Sequence, residues 1–481
     1  MTSKLTTAGA LCILSLALSG CLETEGNLVN SAADDQPTSG DSSGGSTGGT
    51  GGGSSGGSSG GSTGGSTGGS GSGSTGGGST GGGSTGGGTP PPPPTATIDS
   101  IPDVPFDYMK EPGAATTSGG LPSTIGAGEV LDFTGQSANG DVSMTCAGTE
   151  QDPAFIVGGT LSGSSDVFRI SGSWCYFIGT EFRSVQPRPQ GDHMVFRNVD
   201  IHSNSKNGTN VSGSNIVITD SEIHHNQKTT NESHGIQASS GADGVWILNN
   251  LAHHNSGDSL QGCHGCSSNP PRNIYIGGNT FYSDRENAVD FKWIENVVVE
   301  GNVFYGYKSA PADSNWCFDD NSRCATWNSG SDGSAVVIGS DGTPTGVVIK
   351  DNEIYNSNNA IRVEEGVDIQ IVGNMQYDLS GRCLQLDKEG HNLLYQGNSC
   401  INAGRGIFQN WRENFSLTVD RNVFENISGP AIEYESGSVC DDSTLTSNTF
   451  TGIESVICNK TVATTTAAVN ALPGAAGNTV N

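Results

Sequence analysis

The chain is 481 residues long and sets 49 acidic side chains against 21 Lys and Arg, a formal net charge of −28. That balance excludes nucleic acid as the partner, because phosphate binding needs a basic face. It admits an acidic polymer only where clustered Lys and Arg, or a bound cation, reverse the field locally.

In chain order, residues 1–21 come first, with Lys4, an apolar run to Leu18 and small residues before Cys21. This is the pattern of a secretory signal, too short for a membrane span. Leu18–Cys21, LSGC, resembles the lipobox of bacterial lipoproteins. The resemblance implies that Cys21 is diacylated and becomes the mature N-terminus. With Leu22 behind it rather than Asp, it also implies an outer-membrane lipoprotein held by the lipid alone. Residues 22–97 form a linker, nearly pure Gly, Ser and Thr from Ser42 to Gly88 and stiffened by Pro90–Pro94. A coil of about 50 such residues reaches roughly 40 Å r.m.s., which suits a tether.

Residues 98–160 are expected to cap a repeating domain over 161–458, with 459–481 as the closing tail. Within that domain IVITDSEI from Ile216, VWILNNLA from Val245, IYIGGNTF from Ile274, VVVEGNVF from Val297 and VVIKDNEI from Val347 are one pattern. A short apolar strand meets a turn with Asn near its end, and a second short strand follows. The Asn recurs at 250, 279, 302, 352, 374, 398, 422 and 448, at separations of 29, 23, 50, 22, 24, 24 and 26. Asn tolerates the left-handed conformation of a sharp bend, and stacked Asn side chains bond up a column of like turns. A third apolar run precedes each pair, as in HGIQAS, AVDFK, AIRVEE and CLQLDK. Three strands per coil, wound into three parallel sheets around one core, are therefore expected. The pattern resembles the right-handed parallel β-helix of pectate lyases and related polysaccharide-degrading enzymes, and the resemblance implies an all-β solenoid.

Ten of the twelve cysteines fall in or beside this domain. After export, disulfides are the default, and pairing in sequence order is expected: Cys146–Cys175, Cys263–Cys266, Cys317–Cys324, Cys383–Cys400 and Cys440–Cys458.

Side chains alternate along a strand, so if Val289 and Phe291 point inward, Asp290 and Lys292 point to solvent. Aligning the first strand of every coil in this way stacks His234, Asp258, Asn287, Ser334, Asn359, Arg382 and Arg405 in one outward column. Gln237, Gln261, Asp290, Val337, Arg362, Gln385 and Phe408 form a second, and a third contains Lys292, Glu364, Asp387 and Asn410. Lys292, Arg362, Arg382, Lys388, Arg405 and Arg412 all fall on or beside this sheet, so a locally basic face is expected on an acidic protein.

The phrase NAVDFKW, Asn287 to Trp293, resembles the base-lysine strand of the calcium-dependent pectate lyases classed as polysaccharide lyase family 9. One coil earlier, NSGDSLQ resembles that family's aspartate-rich calcium strand. The resemblance implies β-elimination with Lys292 as base, Arg362 or Arg382 neutralising a uronate carboxylate, and Ca²⁺ as cofactor. The calcium strand departs from the family pattern, keeping Asp258 among Gly257, Ser259 and Gln261, with Asp290 on the next coil as a second candidate ligand. Read without the family, Asp290 and Lys292 are an exposed pair contributing solubility. His234, Gln261 and Arg405 are candidate substrate contacts. The pairs His224–His225 and His253–His254 recur at one place in successive coils and are expected to stack structurally.

The 50-residue gap between Asn302 and Asn352 lacks the strand pattern and is expected to be an inserted loop overhanging the first sheet. Its Trp316 and Trp327 are candidate platforms for sugar rings, and Cys317–Cys324 would stiffen it. The reading is a monomeric, lipid-anchored protein that binds an extended polysaccharide, acidic by preference, and cleaves it. The alternative is a non-catalytic binding or adhesive lipoprotein on the same scaffold.

Overall fold

The computed structural model describes residues 99–409, 415–434 and 437–481. Cys21 and the linker, together with Asn410 and Arg412, lie outside the described residues. Between Thr117 and Val480 the described residues wind as a parallel β-helix in which the strands of successive coils pair in parallel, the insert and the hairpin Val456–Cys458 with Thr461–Ala463 pairing antiparallel. The coil therefore reaches into both segments expected to be caps. The first sheet holds Ile236–Ala238, Leu260–Gln261, Val289–Phe291, Ser334–Ile338 and their successors; the second holds Asp243–Leu248, Arg272–Gly277, Glu295–Glu300 and Thr345–Lys350. The third holds Leu251–His253, Thr280–Tyr282, Val303–Tyr305 and Glu353–Tyr355.

The predicted Asn column is a continuous hydrogen-bonded ladder. Nδ2 of Asn250 donates to Oδ1 of Asn279 at 3.0 Å, Asn279 to Asn302 at 2.9 Å, Asn302 to Asn352 at 3.0 Å and Asn352 to Asn374 at 2.9 Å. It runs on through Asn398, Asn422 and Asn448 to Asn478. Each of these buried amides also donates to a main-chain carbonyl, as Asn302 does to Ile276 at 2.9 Å. The reason for Asn differs from the expectation in one respect. The left-handed residue is the one before each rung: Asn249, Gly278, Gly301, Asp351, Gly373, Gly397, Arg421 and Ser447 have φ between +52° and +69°. Asn is therefore required for its paired donor and acceptor, and the bend is made by its neighbour.

The interior stacks like on like, as in Phe281 over Phe304 at 5.3 Å and Phe424 over Phe450 at 5.2 Å. The second sheet is apolar on its outer face as well, where Tyr176, Val217, Trp246, Tyr275 and Val298 are covered by the segment containing Ile101, Val104 and Phe106. That segment is fixed by the Trp246 Nε1 donating to the Pro102 carbonyl at 3.0 Å and by the Tyr176 hydroxyl donating to Asp107 at 2.9 Å. Outside the third sheet, His202, His224, His253, Tyr282, Tyr305, Tyr355 and Tyr377 stack ring on ring at 4.6–5.2 Å, so the expected histidine stack is there.

The insert is a pair of antiparallel ladders, Ser309–Ala310 with Ser331–Asp332 and Asn315–Cys317 with Cys324–Thr326. All five cysteine pairs form in sequence order. Among the described residues no helix is long and apolar enough to cross a membrane.

Candidate functional site

Val289 and Phe291 are fully buried, which turns Asp290 and Lys292 to the outer face of the first sheet. The register places Gln237, Gln261, Asp290, Val337, Arg362, Gln385 and Phe408 opposite one another in successive coils, the second predicted column. Ser334 faces Asn359, and Arg382 faces Arg405, in the first. Glu232, Gln261, Glu286, Asp290, Lys292, Arg362 and Glu364 line one cleft, whose other wall is Ser329–Asp332 of the insert.

In this cleft the Lys292 ammonium lies 3.1 Å from Asp290 Oδ2 and 3.4 Å from Asp341 Oδ2, and it donates to Ser340 Oγ at 3.0 Å. Ser340 in turn donates to Asp290 Oδ1 at 2.9 Å. Burial, reinforced by the Asp258 carboxylate, pushes the Asp290 pKa up to about 6 against the pull of Lys292. At Lys292 burial works in the lowering direction, but the Asp290 and Asp258 carboxylates outweigh it and hold the ammonium above its usual range. A free base needs the opposite shift, so this geometry makes Lys292 a cation. Glu286 is raised well above the ordinary carboxyl range, first by burial and then by Asp258 and Glu232, which favours its neutral acid.

Asp258 is fully buried. Its Oδ1 accepts from the Asn287 N–H at 3.1 Å and from Asn287 Nδ2 at 2.9 Å; its Oδ2 accepts from Gln261 Nε2 at 3.4 Å and lies 3.0 Å from His234 Nδ1. The Asp258 N–H also donates to that His234 nitrogen at 3.0 Å. Both residues are rungs of a ladder. A calcium ion needs six to eight oxygens, whereas Asp258 has its oxygens occupied and Asp290 is engaged by Lys292 and Ser340. The donor set does not fit that ion.

The expected basic face is largely neutralised. Arg362 is held by Asp387 at 2.5 Å, Glu364 at 3.0 Å and Asp332 at 3.1 Å, while Lys388 pairs with Glu364 at 2.8 Å and Arg405 with Glu433 at 3.2 Å. Arg382 donates to Gln385 at 2.9 Å and, among the described residues, has no carboxylate in ion-pair range. Arg382 and Arg405 lie over the Phe408 ring, 4.4 and 4.8 Å from its centroid, and line a shallow notch with Asn358 and Ser380.

Trp327 is fully buried, with Arg285 and Arg323 lying 5.4 and 4.9 Å from its ring centroid. It anchors the insert and offers no face to a sugar, contrary to the expectation from sequence. Trp316 is half-buried in the outer hairpin. Glu286, Ser340 and Asp332 are cleft residues that sequence reasoning missed. Glu286 sits four residues before Asp290 and was legible as a nearby carboxyl. Ser340 and Asp332 come from a turn and from the insert, where no repeat fixes position.

A family model described as "Right handed beta helix region" matches residues 318–467. No curated protein matches the chain. Among solved structures, the chain is similar to the surface protein and adhesin PfbA of Streptococcus pneumoniae, with 13% identity, TM-score 0.47, and 67% of this chain and 91% of that one covered. It is also similar to the catalytic unit of a thermostable GH87 α-1,3-glucanase from Streptomyces thermodiastaticus, at 13% identity and TM-score 0.45 over 69% and 64% of the two chains. Pectate lyase Pel9A shares 12% identity at TM-score 0.36 over 61% of this chain and 72% of its own. At such identities no side chain of the cleft is assigned by comparison.

Proposed function

We propose that the protein binds an extended polysaccharide along the first sheet and cleaves a uronic-acid-containing chain by β-elimination in the Asp290–Lys292 cleft. The observation that carries this reading is the pairing of a carboxylate of raised pKa with an ammonium 3.1 Å away in one cleft. In a uronate, the proton to be removed and the carboxylate sit on the same carbon, so the base and the neutralising cation must be neighbours. Asp290, basic for a carboxylate and still ionised near neutral pH, takes that proton. Lys292 faces the carboxylate, over which the electron pair spreads. The pair then forms the double bond as the glycosidic C–O bond at the β carbon breaks, and neutral Glu286 gives its proton to the departing oxygen. Arg382 and Arg405, three and four coils along at roughly 14 and 19 Å, hold the carboxylate of a more distant sugar. Arg362, tied to three acids, orients the cleft instead.

Hydrolysis is the second reading, favoured by one observation: a carboxyl pushed toward its neutral acid by burial, Glu286, in the same cleft as a more readily ionised one, Asp290, is also the equipment of a glycosidase. Outside the cleft, Cys21 is read as a lipid anchor that holds a monomer at the outer membrane. Incubation with a panel of uronic-acid polymers and neutral glucans, following new reducing ends and ultraviolet absorbance together, separates the possibilities. Elimination gives both signals, hydrolysis gives reducing ends alone, and binding without either signal leaves an adhesin.

A further inference from the structure

Two histidines outside the cleft face two carboxylates of the insert. His225 and His254 occupy equivalent left-handed turn positions one coil apart, with φ of +52° and +54°. Their rings stack at 5.1 Å and 4°. Each touches a partner histidine through Nδ1: His225 to His224 at 2.6 Å, and His254 to His253 at 2.7 Å. The partners' other nitrogens are committed to carboxylates, His224 Nε2 to Asp200 at 3.1 Å and His253 Nε2 to Glu222 at 3.1 Å.

Each chain runs carboxylate, imidazole, imidazole, and ends at an Nε2 atom turned toward the insert. His225 Nε2 lies 2.7 Å from Asp320 Oδ2, and His254 Nε2 lies 2.5 Å from Asp319 Oδ1 and 3.8 Å from Asp320 Oδ1. With an ion on these two Nε2 atoms, the Nδ1–H groups of His225 and His254 would donate to His224 and His253, whose Nε2–H groups would donate to Asp200 and Glu222, so every contact has a donor and an acceptor.

We propose that His225, His254, Asp319 and Asp320 bind one divalent transition-metal ion of the Zn²⁺ class, which pins the insert to the coils. Ligand atoms of His225, His254 and Asp320 lie within 4.8 Å of one another; reaching the edge of a tetrahedron, about 3.4 Å for bonds near 2.0–2.1 Å, takes an opening of under about 1 Å at the two close nitrogen–oxygen pairs and a closing of the wider ones. Two imidazoles exclude Ca²⁺, which takes oxygen donors. The chains Asp200–His224–His225 and Glu222–His253–His254 are the outer hydrogen bonds that orient metal-binding imidazoles and raise their basicity. The two aspartates stand at the tip of the insert between Cys317 and Cys324. Phe318 packs 5.7 Å from His254, and Ser283 Oγ donates to Asp319 Oδ2 at 2.8 Å, so the tip is already docked against the histidines. Because Ser329–Asp332 of the same insert wall the cleft, the ion would fix that wall.

The test uses the full chain, stripped with a chelator, dialysed, and titrated with Zn²⁺ by calorimetry, with Co²⁺ as a spectroscopic replacement. One ion per chain, a rise in melting temperature on loading and the intense visible band of four-coordinate Co²⁺ are expected. Both the stoichiometric uptake and the thermal rise should vanish in Asp319→Asn/Asp320→Asn, whose changes lie on the insert and spare the core, and in His225→Ala/His254→Ala. Failure of the parent chain to bind, retention of uptake by the insert variant, or equal competition by Ca²⁺ would overturn the assignment.

Discussion

Asp284 shows how a single buried carboxyl sets a pH dependence. It ends a second ladder, Asn204–Asn226–Asn255–Asp284, with Oδ1 accepting from Asn255 N and Nδ2 at 2.9 Å and Oδ2 accepting from the hydroxyls of Ser259 at 2.5 Å and Tyr307 at 3.0 Å. Burial pushes its pKa up to about 7, against the lowering by those donors. An acid raised on folding binds its proton more tightly in the native state. Its stabilising contribution is thus complete below the unfolded value near 4 and is lost as pH rises toward 7, at about 1.4 kcal/mol per pH unit. Asp284→Asn keeps the acceptor for Asn255 and cannot ionise. Thermal melts across that window should therefore show the parent losing ground to Asp284→Asn as pH rises, and parallel curves would refute the buried charge. At this scale the sequence is only partly legible. Alternation placed Asp290 and Lys292 outward, but the contacts that hold the Lys292 ammonium against Asp290 include Ser340 and Asp341, which are 48 and 49 positions away.

Among the elements, the Asn ladder carries the coil register. Asn302→Ala removes the acceptor for the Asn279 N–H and Nδ2, both at 2.9 Å, and the donor to Asn352. Leaving buried amide donors unpaired should cost about 1–3 kcal/mol, measured as a lower denaturant midpoint. Asn302→Asp, which keeps the acceptor, should cost less at a pH where it is neutral. The ladder was legible because its spacing repeats. The apolar outer face of the second sheet was not read from the sequence, which was expected to wrap a single core, although the unbroken runs VWI, IYI and VVV are the signal of a strand buried on both sides. The insert was legible only as a gap, since a non-repeating loop docks through contacts such as His254–Asp319 that no period announces.

For the whole molecule, a scaffold of this kind presents a long flat sheet, and chemistry is local to wherever outward columns bring charges together. The proposed anchor is tested by Cys21→Ala, which should release the protein from membranes into the soluble fraction; retention equal to the parent would show another attachment. The proposed chemistry turns on which member of the cleft pair moves the proton. The most direct measurement is the initial rate of unsaturated-product formation, on whichever uronic-acid polymer the parent cleaves, for Asp290→Asn and Lys292→Arg side by side. Loss of a general base costs roughly 10²–10⁴-fold, so Asp290→Asn should fall by that factor, while Lys292→Arg, which preserves the positive charge, should retain a measurable fraction of turnover. A Lys292→Arg protein that is inactive beside an active Asp290→Asn would return the base to the lysine and contradict the account.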